Sequence, residues 1–469
     1  MGSLAGLLAE MGHDVTGSDV AFDPPIGPAL AGWGVKTKQG FFASHLKPAP
    51  DLVVIGNVCK KDNPEARAAI DGGLRYTHIA GALAELVLGG TRPLVVAGTH
   101  GKTTTTALSA WLLEGAGRNP GFLVGGIPLN FRQSFRAPRR RLPVAGDTSA
   151  AERPPFVIEG DEYDTAFFEK TAKFLHYRAE VAIVTSIEHD HVDIYPTLAA
   201  YHDAFRRFVA QVPASGLIVA NASDPAVVDI VGGAARADVA WYALEGEPTH
   251  GVPPRWLGAP AGSDARGTSF DLYAGGVAAG RLVVPLPGHH NVANAVAAIG
   301  AVVEGYGAKL HELTRPLSTF AGVKRRQEVI GEPRGITVID DFAHHPTAVR
   351  ETLAALRARY AGRRLIAVFE PRSATACRAM HQTQYAESFD AADEVLLAPV
   401  GRKGIADETL DTKRLAEDLT ARGKLAVAHA GVDDIVHDLA ARARTGDVIA
   451  LLSNGAFEGI HARVLAALT

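Results

Sequence analysis

The fold is decided by one stretch of this sequence, Leu94-Val95-Val96-Ala97-Gly98-Thr99-His100-Gly101-Lys102-Thr103-Thr104-Thr105-Thr106. A short apolar strand leads into a turn that contains two glycines, and a helical run is predicted from Ala107 onward. Backbone N–H groups at the start of a helix point outward, and the helix dipole favours negative charge there. The stretch therefore predicts a loop that binds the phosphates of a nucleotide.

The turn itself supplies the candidate nucleotide-binding residues Gly98, Thr99, His100, Gly101, Lys102, Thr103 and Thr104. Lys102 is placed to reach the β- and γ-phosphates, and the Thr103 hydroxyl is placed to hold Mg²⁺. Val96 stands where a full Walker A motif has its first glycine, so the turn is a shorter form. A Thr-rich helix start with a stray lysine is the alternative, but it does not explain the two glycines.

Composition places the chain among soluble globular proteins. Its 469 residues predict roughly three domains. A net charge of −4 and a pI near 6.5 favour neither nucleic acid nor an anionic membrane surface as partner. The sequence has neither a long apolar run typical of a membrane helix nor a signal-peptide pattern. Cys59 and Cys377 are the only cysteines, which excludes a disulfide framework and makes a reducing cytoplasm the expected location.

Alternating strand and helix patterns predict an α/β fold in three domains. Residues 1–90 are predicted to form a Rossmann-like domain, in which Asp19 ends a strand where such folds contact a ribose or uridine. The chain opens directly at a helix, so either the start site is misassigned or this sheet lacks its first strand. Residues 91–315 form the predicted central nucleotide-binding domain and residues 316–469 a Rossmann-like third domain.

Two parts of the central domain are predicted to be irregular. The Pro-, Arg- and Ala-rich stretch between Arg136 and Pro155 is interpreted as a surface insertion, and the run Arg139-Arg140-Arg141 within it as a solvated charge cluster. The second irregular stretch runs from Gly246 to Thr268.

Acidic and imidazole groups follow two predicted strands of the central domain. The first cluster is Glu159-Gly160-Asp161-Glu162-Tyr163-Asp164, and the second runs from Ser186 to Asp193 and includes His191. Carboxylates at the carboxyl end of a sheet that carries a phosphate loop are placed to bind Mg²⁺. A solvated acidic turn is the alternative for the first cluster. Zn²⁺ is the rival ion, but closed-site Cys or His spacing is absent.

Three further segments carry polar groups toward the same site. Asn291 and Asn294 share one face of an Ala-rich helix, which favours contact with a nucleotide base; helix capping is the alternative for Asn291. Arg326 lies near the predicted hinge, where an arginine can neutralise charge on a transferring phosphoryl group. Asp341 and His344 follow a strand of the third domain, again at the edge where ligands bind.

These segments occur in the order and spacing of the Mur ligase family, the ATP-dependent amide-forming enzymes of peptidoglycan synthesis, which the chain resembles over nearly its whole length. The resemblance implies ATP and Mg²⁺ as cofactors. It makes Thr103, Glu159 and His191 the Mg²⁺ ligands, and it places Asn291 and Asn294 on the adenine side. The residues that it implies to be catalytic are Lys102, Glu159, His191, Arg326 and Asp341, and it brings His344 near the nucleotide.

Within the family, His100 and Asp341–Pro346 resemble the branch that acts on UDP-N-acetylmuramate. Three regions favour the ligase of this branch that attaches a murein tripeptide, L-alanyl-γ-D-glutamyl-meso-diaminopimelate, over the one that adds free L-alanine. They are Glu159–Phe168 continuing to Lys173–Tyr177, Glu370–Ser373, and Ser453–His461. Several family members carry a carbamylated lysine after the Mg²⁺-binding histidine; Arg206 and Arg207 stand there instead, so no carbamate is expected.

The implied reaction joins the muramate carboxyl group to the tripeptide amine through an acyl phosphate, in peptidoglycan recycling. The rivals are the L-alanine-adding ligase and a nucleotide-binding protein without catalysis. Folylpolyglutamate synthetase shares the architecture but is not expected to have the uridine-type first domain. UDP-N-acetylmuramate and the tripeptide are the expected partners, with neither nucleic acid nor membrane, and a cytoplasmic monomer is expected.

Overall fold

The fold is known from a computed structural model that describes residues 1–23, 26–139, 153–264, 266–401 and 409–469. Most of the predicted insertion between Arg136 and Pro155, including Arg140 and Arg141, lies outside the described residues. No helix in the described part of the chain is both long enough and apolar enough to cross a membrane. The described elements form three α/β domains, as the sequence predicts.

The first domain contains small parallel strand pairs. Its elements are α1 (Gly2–Glu10), β1 (Thr16–Asp19), α2 (Ile26–Gly32), β2 (Lys36–Gln39), β3 (Val53–Ile55), α3 (Pro64–Asp71), β4 (Tyr76–His78) and α4 (Ile79–Ala82). Strand β1 pairs with β2, and β3 pairs with β4. Because these pairs are separate sheets, the Rossmann-like sheet predicted here is not continuous.

The central domain is built on a sheet whose described strands number ten, in the order β16-β15-β14-β13-β12-β11-β5-β8-β6-β7. Its strands are β5 (Arg92–Ala97), β6 (Gly121–Leu123), β7 (Phe135–Arg136), β8 (Pro155–Gly160), β9 (Asp164–Ala166), β10 (Glu169–Ala172), β11 (Val181–Val184), β12 (Leu217–Asn221), β13 (Asp238–Leu244), β14 (Trp256–Asp264), β15 (Gly267–Ala274) and β16 (Val277–Val284). Strands β9 and β10 form a separate antiparallel pair. Its helices are α5 (Lys102–Gly115), α6 (Leu198–Gln211), α7 (Pro225–Ala234), α8 (His289–Tyr306) and α9 (Leu310–Ser318).

The third domain has a sheet of six described strands in the order β17-β18-β22-β19-β20-β21. Only the edge strand β17 runs antiparallel to its neighbour. Its elements are β17 (Glu328–Gly331), β18 (Thr337–Asp341), α10 (Pro346–Arg359), β19 (Leu365–Phe369), α11 (Gln382–Ser388), β20 (Glu394–Leu397), α12 (Thr412–Ala421), β21 (Leu425–Ala428), α13 (Val432–Arg442), β22 (Val448–Leu452) and α14 (Ile460–Ala467).

Strand β5 shows how the sequence pattern builds the layers of the central domain. Leu94 and Val96 are fully buried in a core shared with α5 and α8. Val95 and Ala97 point to the opposite face, into a core shared with α6, α7 and α1 of the first domain. Side chains alternate across a strand, so a continuous apolar run is needed where both faces of a sheet are covered. This packing directs the carboxyl end of β5 to the phosphate loop.

The prediction of an irregular stretch from Gly246 to Thr268 is wrong for its second half. Strand β14 occupies Trp256–Asp264 and pairs with β13 on one side and β15 on the other, while the residues before Trp256 are irregular as predicted. Pro260 and Gly262 make the strand difficult to recognise in the sequence, because proline donates no ladder hydrogen bond and glycine has low strand propensity. The ladder accommodates them with a register shift between these two residues, so pairing with neighbouring strands overrides local preference.

Helix α5 begins at Lys102, earlier than the predicted start at Ala107. The four threonines from Thr103 to Thr106 have low helix propensity because their β-branched side chains are restricted in a helix. All four are buried, however, so tertiary packing stabilises the helical turn that they form. The first free N–H groups of α5 therefore lie directly at the loop.

Helix α9 crosses the predicted domain boundary between residues 315 and 316 and packs on the central domain. Pro316, which reads as a helix breaker in the sequence, lies inside α9, and its carbonyl accepts a hydrogen bond from Trp111 Nε1 at 2.8 Å. Backbone contacts to the central domain continue as far as Lys324, whose N–H donates to Ile127 O at 3.0 Å. The third sheet starts only at Glu328.

Candidate active site

The phosphate loop requires its two glycines for different steric reasons. Gly98 has φ +136°, and a Cβ there would overlap the Thr185 hydroxyl oxygen. Gly101 has φ +79°, and a Cβ there would lie 2.6 Å from Asn294 Oδ1. A side chain disfavours these backbone conformations, and glycine accepts them without penalty. The loop can therefore turn sharply and lie directly against its neighbours.

A Gly101→Ala substitution is expected to weaken ATP binding about tenfold, or by ~1.4 kcal/mol, because the new methyl group displaces Asn294. The left-handed alanine also lowers the stability of the fold by ~1–2 kcal/mol. Isothermal titration with ATP measures the affinity. Gly117→Ala is the matched control, since Gly117 has φ +72° but a Cβ there meets nothing within 4 Å. The Gly117→Ala variant should lose about as much free energy of unfolding as Gly101→Ala and keep its ATP affinity. Equal ATP affinities for the two variants would contradict the role given to Gly101.

Lys102 lies in an ion pair that the sequence did not identify. Its ammonium group is 3.0 Å from the carboxylate of Glu162, which is only 1% exposed. Burial opposes the charge on Lys102, but the carboxylates of Glu162, Glu159 and Asp161 outweigh it and raise the pKa of Lys102. The lysine is therefore fully charged and held at the mouth of the loop, in a position suited to a polyphosphate.

His191 approaches the same carboxylate from the other side. Its Nε2 atom lies 3.3 Å from Glu162 Oε1 and 4.0 Å from Asp190 Oδ2, and its backbone has φ +51°. Burial favours the neutral ring, yet the bond and charge of Glu162 raise the pKa of His191. The predicted metal ligand His191 and the predicted phosphate-binding Lys102 are thus linked through Glu162.

Glu159, the other predicted Mg²⁺ ligand, lies beside Thr103. The Thr103 hydroxyl donates to Glu159 Oε1 at 2.9 Å, and the Gly125 N–H donates to Oε2 at 2.8 Å. Burial, followed by repulsion from Asp161, raises the pKa of Glu159, and the charges of Lys102 and Arg326 offset this only in part. The adjacent oxygens of Glu159 and Thr103 fit Mg²⁺, which prefers oxygen ligands.

Glu162 is the site residue that sequence reasoning missed. Glu162 stands in the acidic cluster that predicted a metal site, so the sequence did contain a signal for a functional residue there. Four acidic side chains share that cluster, and the sequence does not distinguish the one that turns inward. The structure shows that Glu162 pairs with Lys102 from 60 positions away along the chain.

Changing Glu162 to glutamine is expected to reduce the acid sensitivity of the fold. Burial alone would raise the pKa of Glu162, but Lys102 and His191 reverse the effect and lower it. A carboxyl group with a lowered folded pKa contributes stability above its unfolded pKa of about 4.3, and this stability is lost as the pH falls further. Urea unfolding of both proteins between pH about 7 and about 3 measures the difference.

Glu85→Gln is the control for that experiment, because Glu85 forms only an exposed pair with Arg75. Exposed pairs contribute about 0–1 kcal/mol, so its pH profile should match that of the unchanged protein. An acid limb that is identical in Glu162→Gln and the unchanged protein would contradict the ion-pair interpretation.

A cavity of about 650 Å³ opens between the loop, the start of α8 and the third domain. Asn291 and Asn294 are buried in its wall, where Asn294 Nδ2 donates to Asn291 Oδ1 at 3.3 Å. Gly288 is the N-cap of α8, so the capping alternative for Asn291 is not what the structure shows. Predicted site residues in the wall are His100, Gly101, Thr103, Thr104, Asn291, Asn294, Arg326 and Asp341.

The other predicted residues lie off the cavity wall. Gly98, Thr99, Lys102, Glu159 and His191 form the adjoining side of the loop, around Glu162. Thr99 holds the loop to the segment that follows β11, because its hydroxyl donates to Glu188 O at 2.9 Å. His344 Nδ1 lies 3.0 Å from Phe342 O, and burial lowers the pKa of its imidazole.

Arg326 carries a charge from the third domain to the phosphate loop. Its Nη2 atom donates to Thr103 Oγ1 at 3.0 Å, and its guanidinium lies 4.8 Å from the centre of the Phe342 ring. Asp341 accepts hydrogen bonds from the backbone N–H groups of Gln327 and Ala343, both at 2.7 Å. Asp341 therefore positions the backbone directly after Arg326 and directly after Phe342.

Comparison with known proteins agrees with this geometry. The Mur ligase family catalytic domain matches residues 1–90, the Mur ligase middle domain residues 96–302, and the Mur ligase glutamate ligase domain residues 325–455.

Curated relatives and solved structures match nearly the full chain. The chain is similar to the UDP-N-acetylmuramate–L-alanyl-γ-D-glutamyl-meso-2,6-diaminoheptandioate ligase of Haemophilus influenzae (36% identity, 99% of this chain, 96% of the relative). It is also similar to the UDP-N-acetylmuramate–L-alanine ligase of Chloroflexus aggregans (34%, 100% and 96%). The crystal structure of a murein peptide ligase from Psychrobacter arcticus matches with a TM-score of 0.72 (36%, 100% and 96%). The chain belongs to the Mur ligase family and is an ATP-dependent ligase that forms carbon–nitrogen bonds.

Proposed function

We propose that this ligase joins UDP-N-acetylmuramate to L-alanyl-γ-D-glutamyl-meso-diaminopimelate in peptidoglycan recycling. The observation that carries the choice of acceptor is the contact between two regions of the third domain. Ser453 Oγ donates to Glu370 Oε2 at 2.5 Å, which joins the Glu370–Ser373 and Ser453–His461 regions at the ends of β19 and β22. Both regions resemble those of the tripeptide ligases.

The joined loops also leave a cationic group facing solvent. Gly455 lies against the Arg372 side chain, so a Cβ at Gly455 would overlap Arg372. The Arg372 guanidinium is anchored by Glu370 at 3.1 Å, and its side chain remains 42% exposed. An anchored, accessible guanidinium can bind the carboxylates of an acidic peptide. Free L-alanine does not require such a group to the same extent, so Arg372 favours the peptide as acceptor.

The first domain binds the UDP-sugar, the central domain binds ATP through Gly98–Thr104 with Asn291 and Asn294 on the adenine side, and the third domain binds the amine. Thr103, Glu159 and His191 are the residues that would hold Mg²⁺, which would neutralise phosphate charge. His344 lies near the nucleotide.

The muramate carboxylate attacks the γ-phosphorus of ATP, ADP leaves, and an acyl phosphate forms. Lys102 and Arg326 stabilise the charge on the transferring phosphoryl group, and Asp341 positions Arg326. The tripeptide amine then attacks the acyl carbon, loses a proton, and expels inorganic phosphate. Because the donors of positive charge come from two domains, closure of the third domain completes the site.

Release of inorganic phosphate with ATP and UDP-N-acetylmuramate tests the proposal, with the tripeptide and L-alanine compared as acceptors. We expect a higher kcat/KM with the tripeptide and only background release without an acceptor. Faster turnover on L-alanine would identify the L-alanine-adding ligase, the activity named for the Chloroflexus aggregans relative. ATP binding without phosphate release for either acceptor would indicate a nucleotide-binding protein that does not catalyse.

We also propose that the enzyme acts as a cytoplasmic monomer. UDP-linked sugars and ATP are its proposed substrates, and both Mg²⁺-binding and amine-binding residues come from one chain, so a second copy is not needed to complete the site. Light scattering at several protein concentrations tests the oligomeric state, and a mass of twice the 49.3 kDa chain would contradict it.

A further inference from the structure

Three side chains from separate elements converge beside the phosphate loop. They are His100 of the loop, Glu188 after β11, and His345 just before α10 of the third domain. Glu188 Oε2 lies 3.4 Å from His100 Nε2 and 3.4 Å from His345 Nδ1, and the two imidazole rings are 4.8 Å apart. The proposed ATP and Mg²⁺ chemistry uses neither Glu188 nor His345.

Both imidazole nitrogens lie 3.4 Å from the Glu188 carboxylate, which is longer than an ordinary hydrogen bond. Within the described part of the chain, His100 Nε2 and His345 Nδ1 are buried atoms without a hydrogen-bond partner. His345 is only 7% exposed, so water has little access to this nitrogen. An imidazole with an unused ring nitrogen is able to bind a metal ion.

A hydrogen bond holds the Glu188 carboxylate in a position to bind a metal ion. The Thr347 hydroxyl donates to Glu188 Oε2 at 2.7 Å. Ligands around a tetrahedral Zn²⁺ with bonds of about 2.0–2.1 Å are about 3.3 Å apart, close to the two separations measured from Glu188. The ligand atoms of all three residues lie within 4.8 Å of one another. Two imidazoles and one carboxylate leave a fourth position open, as in many zinc sites.

A second His–Glu–His cluster in the molecule differs from this one because its histidines have hydrogen-bond partners. His78 Nε2 lies 3.1 Å from Glu169 Oε2, and His176 Nε2 lies 3.4 Å from Glu169 Oε1. The Gly81 N–H donates to His78 Nδ1, so the other nitrogen of this ring keeps its hydrogen and donates it to Glu169. Thr171 bonds His176 Nε2 at 2.9 Å. Hydrogen bonds thus explain this cluster without a metal ion.

We propose that His100, Glu188 and His345 form a site for a divalent transition-metal ion of the Zn²⁺ type, separate from the Mg²⁺ site. Two ligands belong to the central domain and the third to the third domain. A bound ion would therefore tie α10 to the phosphate loop and hold the third domain closed. Zinc would inhibit turnover by this means, because substrates enter and products leave when the domains separate.

Titration of the full chain with Co²⁺, in excess Mg²⁺ to fill the Mg²⁺ site, tests the proposal without any substrate. We expect one equivalent to produce the intense visible absorption of four-coordinate Co²⁺, and Zn²⁺ to displace it. His345→Gln and, independently, Glu188→Gln should weaken Co²⁺ binding at least about tenfold, since even the loss of a residue that only orients a ligand has an effect of about 10–100-fold. Circular dichroism checks that each variant is folded.

His176→Gln and His191→Ala are the controls and should keep the absorption and the affinity. Unchanged binding in both His345→Gln and Glu188→Gln, or the absence of the absorption in the unchanged protein, would overturn the proposal. Loss of the absorption in His176→Gln or in His191→Ala would also overturn it, because the ion would then occupy the other cluster or the Mg²⁺ site. Since ligation is not measured, failure here is distinct from failure of the proposed function.

Discussion

Replacing Lys102 with alanine is expected to abolish ligation, with a rate loss on the order of 10³-fold or more, while leaving the fold intact. Lys102 begins α5, beside the free N–H groups of the helix that are proposed to bind the phosphates. Its pKa is raised by the surrounding carboxylates, so it carries a full positive charge to the transferring phosphoryl group. Phosphate release and amide formation, measured at saturating ATP, give the loss in kcat.

The fold should survive because Glu162 keeps its second partner. After the change, His191 still lies 3.3 Å from the Glu162 carboxylate, which limits the cost of the broken pair to about 3 kcal/mol. The double variant Lys102→Met/Glu162→Gln removes both charges and is the matched control. It should be more stable than Lys102→Ala and equally inactive. Near-normal amide formation by Lys102→Ala would refute the assignment of the phosphate loop.

Arg326→Ala is expected to lower kcat by about 10²–10³-fold with a smaller change in the KM for ATP. The half-buried guanidinium reaches Thr103 from the third domain, so its charge arrives at the loop only when the two domains are in contact. The interaction strengthens as negative charge develops on the transferring group, which makes it a property of the transition state. Arg326→Lys should recover little, because lysine lacks the planar group that lies against Phe342.

Arg325 provides the comparison for Arg326, since it is adjacent in sequence but serves a different purpose. Its Nη2 atom donates to the carbonyl groups of Ser453 and Gly455 at 2.7 and 2.8 Å, and its Nε lies 3.2 Å from Asp340. Arg325→Ala should therefore lower the unfolding temperature more than Arg326→Ala does, with a smaller loss of kcat. An unchanged kcat in Arg326→Ala would exclude the proposed role of that residue.

Much of the fold was predictable because its signals are local. The apolar runs of β5, β8, β11, β18, β19 and β22 are short, continuous and followed by polar turns, which is the pattern of strands covered on both faces. Strand β14 and the first turn of α5 were missed for the opposite reason. Proline, glycine and a run of threonines oppose these elements locally, and only pairing with neighbouring strands or burial in the core stabilises them.

The candidate site, like the fold, has parts that local sequence predicts and parts that it does not. Gly98 and Gly101 are required by the conformation of their own backbone, and the short loop with its lysine therefore predicts a phosphate site from sequence alone. The family follows from motifs whose order along the chain is visible without a structure. The residue that each charged group contacts is not visible in this way.

By itself, the sequence determined the phosphate loop, the three α/β domains and the family, because these depend on backbone sterics and on apolar runs within a few residues. Tertiary structure alone decided the partners: Glu162 for Lys102, Thr103 for Arg326, and Glu188 for Thr347 are 60, 223 and 159 positions apart. Packing of the sheets brings such groups together, and burial then determines which charges are compensated. No local pattern records that outcome, because it depends on the elements that surround each side chain in the folded chain.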